Sequence, residues 1–326
     1  SQGFTLDETK SLIHPDENQT LYDATPSPYG NSTIVNNITP YTDSAAGGTA
    51  IATGKKVTNS RIAMDIKGNH IESILDIAHR LGKKTGVVTS DELVGATPSA
   101  FLAHASDRYL FDDILETTLT SGADYIAATK PSNWSDTWES RYRNAGYQIG
   151  YNSSILDTNN DKVVCLPDEI TPLDNKRYPT LTECTQFGLD YLDNSEEGFF
   201  LMVEGAKIDK ACHANNQYYM MRELEGFNNA VYEAQKLASM RDDTIILVTA
   251  DHECGGMYYP YATATQENIL DNIKFKSTNH SRARVRLDVF GDISTFVNKF
   301  QDEFETLEGL PYWDNTYSFN LMCSYL

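Results

Sequence analysis

The sequence predicts an α/β fold: a three-layer sandwich with a largely parallel central sheet and helices on both faces, formed by residues 1–326 as a single domain. Three observations carry this expectation. Short apolar runs without alternation, above all FFLMV at 199–203 and TIILV at 244–248, read as strands buried on both faces, the mark of a parallel sheet. Between them lie longer stretches with apolar residues at helical spacing, which gives the β-α-β rhythm of such sheets. Finally, 326 residues with 40% hydrophobic content can bury a real core, and no linker or internal repeat divides the chain.

The elements follow in order. Residues 4–13 form a short amphipathic piece, and 14–40, rich in Pro, Asn, Ser and Thr, read as loop with no buried first strand. From Thr42 to Gly54 the chain runs Thr-Asp-Ser-Ala-Ala-Gly-Gly-Thr-Ala-Ile-Ala-Thr-Gly, a helix of small residues opened near Ser44 and ended by Gly54. A short strand at 61–65 is followed by a helix at 71–81, with Ile71, Ile74, Leu75, Ile77, Ala78 and Leu81 on one face and Gly82 as its stop. Residues 83–90 hold Thr-Gly-Val-Val-Thr, a buried strand. Ala96-Thr97-Pro98 then opens a helix containing Phe101, Leu102 and His104, with Arg108 near its end. A helix at 107–119 and a strand at 124–128 come next. Residues 130–161 supply a helix around Trp134 and Trp138, a strand at 148–151 and a turn at 157–161 before a strand at 162–166. Helices at 180–192 and 215–239 enclose the strand 199–203, which ends at Glu204, and 244–248 leads into Thr249-Ala250-Asp251-His252.

Charge narrows the function. A net charge of −20 repels nucleic acid and anionic membranes, so a phosphate-bearing substrate must be drawn in by a local positive centre. No apolar run approaches the ~20 residues that span a bilayer. Sequons at Asn18, Asn31, Asn37, Asn133, Asn152 and Asn279 fit an exported protein, whether secreted, periplasmic or at the cell surface. Cys165, Cys184, Cys212, Cys254 and Cys323 include no C-x-x-C pair, against a thiolate zinc cluster, and their odd number leaves at least one without an intrachain partner.

Potential ligands gather at strand ends, where open α/β sheets bind their substrates. Glu204, Asp209 and His213 follow one apolar strand, with Asp209 and His213 one helical turn apart and facing the same way. Asp251 and His252 follow another, and His280 lies in a later Ser-Thr-Asn-His-Ser stretch. Histidines with carboxylates suit Zn²⁺, whereas Glu204 with the Thr97 hydroxyl is a harder oxygen set suited to Mg²⁺. Singly, each residue also reads as a cap or a surface polar group, and Ser44 as a helix cap. Jointly, acids and histidines at adjacent strand ends would be costly to bury without cations between them.

These stretches resemble the alkaline phosphatase family. The resemblance rests on Thr42 to Ala46 with Ala52-Thr53-Gly54, on Ala96-Thr97-Pro98 with Arg108, on FFLMVEGAKIDKACH from Phe199 to His213, on Val248 to Glu253, and on His280. It implies that Ser44 is the nucleophile that becomes phosphorylated, that Arg108 binds the phosphoryl group, and that the substrates are small phosphomonoesters. It further implies two zinc sites, one of Asp209, His213 and His280 and one of Asp251 and His252 with Ser44, plus a magnesium site of Glu204 and Thr97, in a homodimer. Lys210 stands where some relatives reach phosphate through water. Two departures accompany the resemblance: no apolar strand ending in the family's Asp-Gly motif precedes Ser44, and Gly95 stands where relatives carry an aspartate or histidine, which weakens the magnesium site. A chain truncated before that strand is one expectation; a metal- or phosphate-binding homologue without turnover is another. A phosphodiesterase or sulfatase of the same superfamily is the third, disfavoured by Ser44 with Arg108.

Overall fold

Apolar runs and amphipathic stretches do alternate as β-α-β units. The computed structural model describes residues 19–25, 41–152, 160–174, 176–259, 269–300, 305–307 and 310–326. In chain order its elements are β1 (Gln19–Thr25), α1 (Ser44–Thr53), α2 (Ile74–Arg80), β2 (Lys84–Glu92), α3 (Ala96–Leu102), α4 (Phe111–Thr120), β3 (Tyr125–Thr129) and α5 (Asp136–Asn144). There follow β4 (Gln148–Gly150), β5 (Val163–Cys165), α6 (Leu181–Leu192), β6 (Phe199–Glu204), α7 (Lys207–His213), α8 (Gln217–Ala238), β7 (Ile246–Thr249) and β8 (Glu253–Cys254). The last are α9 (Ile269–Asn272), β9 (His280–Ser281), β10 (Val285–Phe290), α10 (Ser294–Phe300), β11 (Glu305–Leu307), β12 (Leu310–Asp314) and α11 (Tyr317–Cys323).

The central sheet has the order β4-β5-β3-β2-β6, and every pairing in it is parallel. Strand periodicity sorts its side chains into two cores. Val87, Ile126, Ala128 and Val164 join one cluster with Leu75, Ile114 and Phe101, and Phe200 and Met202 pack against it. Their neighbours Val88, Tyr125, Ala127 and Val163 join the other with Leu181, Tyr191 and Ala230, against which Phe199, Leu201 and Val203 pack. The expected three layers are therefore present around this sheet.

Local signals fix where the helices start and stop. Ser73 with Asp76, and Thr180 with Glu183, form reciprocal capping boxes at α2 and α6, each contributing about 1 kcal/mol. Gly54 ends α1 in the left-handed region at φ +66°, where a Cβ would also lie 2.7 Å from the Phe319 ring.

Several expectations are corrected. A strand, β1, lies inside the stretch read as loop, antiparallel to β10 and parallel to β12; backbone pairing defines it, in a sequence too polar for a hydropathy signal. The expected strand at 61–65 is only two isolated bridges, Ile62 to Ala105 and Met64 to His70. Helix α3 stops at Leu102, so His104 and Arg108 lie beyond it rather than within it. The larger correction concerns β7, which leaves the central sheet and pairs antiparallel with β10 in a second, mixed sheet of order β11-β12-β1-β10-β7. The amphipathic piece at 4–13 and most of the turn at 157–161 lie outside the described residues.

Candidate active site

Helix α1 opens the site. Asp43 is its N-cap: one carboxylate oxygen accepts the Ala46 N–H at 2.9 Å and the other accepts the Ser60 N–H at 2.9 Å. Capping therefore falls to Asp43, and Ser44, the first helical residue, keeps its hydroxyl for something else. That hydroxyl lies 3.0 Å from His252 Nε2. The small residues of α1 allow close approach on two sides. A Cβ at Gly47 would lie 3.0 Å from the Asp251 carbonyl oxygen, and one at Gly48 would lie 3.3 Å from Ala100 Cβ. Gly47→Val is expected to destabilise the fold by ~1–3 kcal/mol through overpacking and to displace Asp251 from Ser44; thermal unfolding and a phosphatase assay read the two effects.

The first ligand group is Asp209, His213 and His280, brought together from α7 and β9. His213 Nε2 and His280 Nε2 face each other at 3.1 Å, and Asp209 reaches them at 3.3 and 3.6 Å respectively. The outer nitrogens are committed: His213 Nδ1 lies 2.5 Å from the Thr278 carbonyl oxygen and His280 Nδ1 lies 2.7 Å from the Thr42 carbonyl oxygen. A carbonyl only accepts, so each Nδ1 carries a proton and each ring turns its Nε2 inward. Burial first, and His252 second, lower the pKa of His280 and keep it neutral. Two ring nitrogens and a carboxylate thus converge, and the buried Asp209 Oδ1 has no hydrogen-bond partner. This donor set fits Zn²⁺.

Cys254, a residue sequence reasoning left aside, completes this cluster. Its Sγ and the ligand atoms of Asp209, His213 and His280 all lie within 4.8 Å of one another. It pairs directly opposite His280 across the β8–β9 ribbon, so the two side chains share a face. Burial pushes its thiol well above the ordinary range, which makes it a neutral –SH where no cation displaces the proton.

The second group surrounds Ser44 itself. His252 Nε2 lies 3.1 Å from Asp251 Oδ2 as well as 3.0 Å from Ser44 Oγ. Both contacts fall on one ring nitrogen, whereas a Ser-His-Asp relay needs them on opposite nitrogens. The serine-hydrolase arrangement is thereby excluded. Burial opposes ionisation of Asp251, but His252 outweighs it and holds the carboxyl below its usual range. The His252 ring stacks on His280 with centroids 3.5 Å apart, which joins the two groups.

The third group is Glu204 with Thr97. Burial first, then the Asp91 charge, raises the Glu204 pKa to about 8, opposed by hydrogen bonds from Thr89 and Thr97. A carboxyl that reluctant to ionise among other carboxylates fits a hard cation such as Mg²⁺. Asp91, also missed, stands at the end of β2 and pairs with Lys210. A Cβ at Gly95 would lie 2.7 Å from Asp91 Oδ2, so this carboxylate fills the space where a side chain at residue 95 would begin. Arg108 completes the site from a loop anchored by its N–H to the Ser60 carbonyl oxygen, and its Nη1 lies 3.4 Å from Asp43 Oδ2. All nine residues expected from sequence thus fall into these neighbouring groups around Ser44.

A family model described as alkaline phosphatase matches residues 5–133 and 166–305. The chain belongs to the alkaline phosphatase family. Among alkaline phosphatases of known sequence it is 34% identical to alkaline phosphatase 4 of Bacillus subtilis over 66% of this chain and 50% of the relative, and 30% identical to the Escherichia coli enzyme over 65% and 58%. It thus spans about half the length of such relatives. Two solved alkaline phosphatases share its fold. The cold-active enzyme of a psychrophilic Shewanella has a TM-score of 0.77 and 25% identity, covering 93% of this chain and 89% of that one. The enzyme of the Antarctic bacterium TAB5 has a TM-score of 0.75 and 25% identity, covering 99% and 95%.

Proposed function

We propose that this alkaline phosphatase homologue hydrolyses small phosphate monoesters through a phosphoserine intermediate on Ser44, with zinc held by Asp209, His213 and His280, zinc by Asp251 and His252 beside Ser44, and weaker magnesium by Glu204 and Thr97. The observation that carries this reading is the pair of inward-facing Nε2 atoms, 3.1 Å apart beside a carboxylate, with the His280 ring stacked on His252, the partner of the Ser44 hydroxyl. Divalent cations bound there would polarise the phosphoryl oxygens and make the serine hydroxyl and a water molecule more acidic.

The residues divide the remaining work. Arg108 presents a planar fork to two phosphoryl oxygens, fixed beside Ser44 by Asp43. The N-terminus of α1 adds backbone N–H groups and the positive end of its dipole. Ser44 Oγ attacks phosphorus as the bond to the leaving alcohol breaks, and water then cleaves the phosphoserine. In so loose a transition state, positioning and charge stabilisation supply most of the acceleration. Export and homodimer assembly belong to the same proposal, the first supported by the sequons and the second by family resemblance. The described residues include no helix long and apolar enough to cross a membrane.

The test is a chromogenic phosphate monoester assay with added Zn²⁺ and Mg²⁺, followed by acid quench and mapping of label to Ser44. Label on another residue, or none during turnover, rejects the intermediate. Arg108→Ala is expected to weaken inhibition by inorganic phosphate ~10–100-fold, the equivalent of one or two hydrogen bonds to a charged group; unchanged inhibition would remove Arg108 from the phosphate site.

A further inference from the structure

Cys254 places a sulfur among the donors of the first ligand group while holding almost nothing itself. It is 2% exposed, and its Sγ shares a 4.8 Å span with the ligand atoms of Asp209, His213 and His280. Among the described residues its thiol donates one hydrogen bond, to the Asp209 carbonyl oxygen at 3.8 Å. That is a weak contact for a buried group. The β8–β9 ribbon sets its direction, because Cys254 pairs opposite His280 and the chain turns away at once through Gly255 and Gly256, at φ +88° and +55°. A Cβ at Gly255 would lie 2.7 Å from the Phe275 ring, so the turn requires glycine and cannot slip. Met220, Leu224 and Ile273 pack in the same buried cluster as Cys254 and offer a cation no competing donor.

The separations suit a single ion. Asp209, His213 and His280 present contacts of 3.1, 3.3 and 3.6 Å, whereas ligands ~2.0–2.1 Å from a tetrahedral centre stand ~3.3–3.4 Å apart. A sulfur on its ~2.3 Å bond stands ~3.6 Å from such ligands, so a shift of ~1 Å within the 4.8 Å span seats it in the fourth position. The buried Asp209 Oδ1, without a hydrogen-bond partner, marks the same spot as short of a positive centre. His213, 39% exposed, keeps one side open to solvent, so a fourth protein ligand does not seal the position.

We propose that Cys254 is the fourth protein ligand of the cation held by Asp209, His213 and His280, and that its sulfur makes this position selective for zinc over manganese and magnesium. The proposal rests on the zinc reading of that group. Ligation exchanges the S–H bond for a bond from sulfur to the cation, and the proton leaves to solvent. A soft thiolate disfavours hard cations, which the oxygen donors of Glu204 and Thr97 accept. Neighbouring positions thereby fill with different metals from one mixed pool.

The experiment strips the chain of metal with a chelator and refills it with Co²⁺ in steps, read by absorption. The expected result is a strong near-ultraviolet thiolate-to-cobalt charge-transfer band, absent in Cys254→Ser and kept in Cys212→Ser. Zinc affinity is expected to fall at least ~10-fold in Cys254→Ser while Mn²⁺ affinity stays within ~3-fold, a split that a merely structural thiol would not produce. Cobalt uptake without the band, a band that survives in Cys254→Ser, or equal losses for zinc and manganese overturns the proposal. The band of the parent chain needs no variant, so misfolding of Cys254→Ser does not shield the proposal from that result. Uptake without the band removes the thiolate alone, whereas no uptake at all removes the zinc reading of the whole group.

Discussion

Ser44→Ala is expected to lower phosphomonoesterase turnover by at least ~10³-fold, about 4 kcal/mol of barrier, while leaving fold and zinc content intact. The reasoning rests on the division of labour at the start of α1. Asp43 caps the helix by accepting the Ala46 N–H, so removing the Ser44 hydroxyl strips no cap from it and stability should change by less than ~0.5 kcal/mol. Asp209, His213 and His280 make their contacts without it. The nearby hydroxyls are otherwise engaged: Thr97 and Thr89 hydrogen-bond Glu204, and Thr42 donates to the Asp43 carbonyl oxygen. Kinetics, metal analysis and thermal unfolding on one sample separate lost chemistry from lost structure. Turnover within tenfold of the parent chain would dismiss Ser44 as nucleophile even with the metal groups in place.

What the sequence made legible, and what it hid, follows from how far each signal reaches along the chain. Buried parallel strands announce themselves in runs of a few residues, and helix ends in a cap or a glycine, so β2, β3, β6, α6 and α8 fall where expected to within a few residues. Strand β1 was hidden because its definition lies in distant partners, β10 and β12, and its own sequence has no apolar face to show. The separation of β7 from the central sheet was hidden for the same reason: an apolar run records burial, never the neighbour. At the site, Asp209 and His213 are readable as one helical turn, whereas His280 is a candidate ligand whose grouping with them comes only from family resemblance. Asp91 and Cys254 needed the fold, since Asp91 matters through its approach to Gly95 and Cys254 through its pairing opposite His280.

His280→Ala is expected to remove one zinc per chain, to lower turnover by a factor comparable with that of Ser44→Ala, and to abolish the part of stability that a chelator can strip from the parent protein. The imidazole of His280 is held on both sides, by the Thr42 carbonyl oxygen at Nδ1 and by the stacked His252 ring, so little freedom is lost when its lone pair meets a cation. Without a cation, the same geometry crowds two ring nitrogens and a carboxylate together in a partly desolvated pocket. Zinc at a hundred times its dissociation constant would add ~2.7 kcal/mol by linkage, enough to raise the unfolding temperature of a chain this size by several degrees. The parent protein should therefore lose those degrees on chelation, and His280→Ala should begin without them and lose nothing further. His213→Ala provides the control, because it removes the facing lone pair while leaving the His252 stack in place. Equal chelator sensitivity in all three proteins would show that zinc, if bound, sits elsewhere, and would detach this cluster from the stability and the chemistry assigned to it.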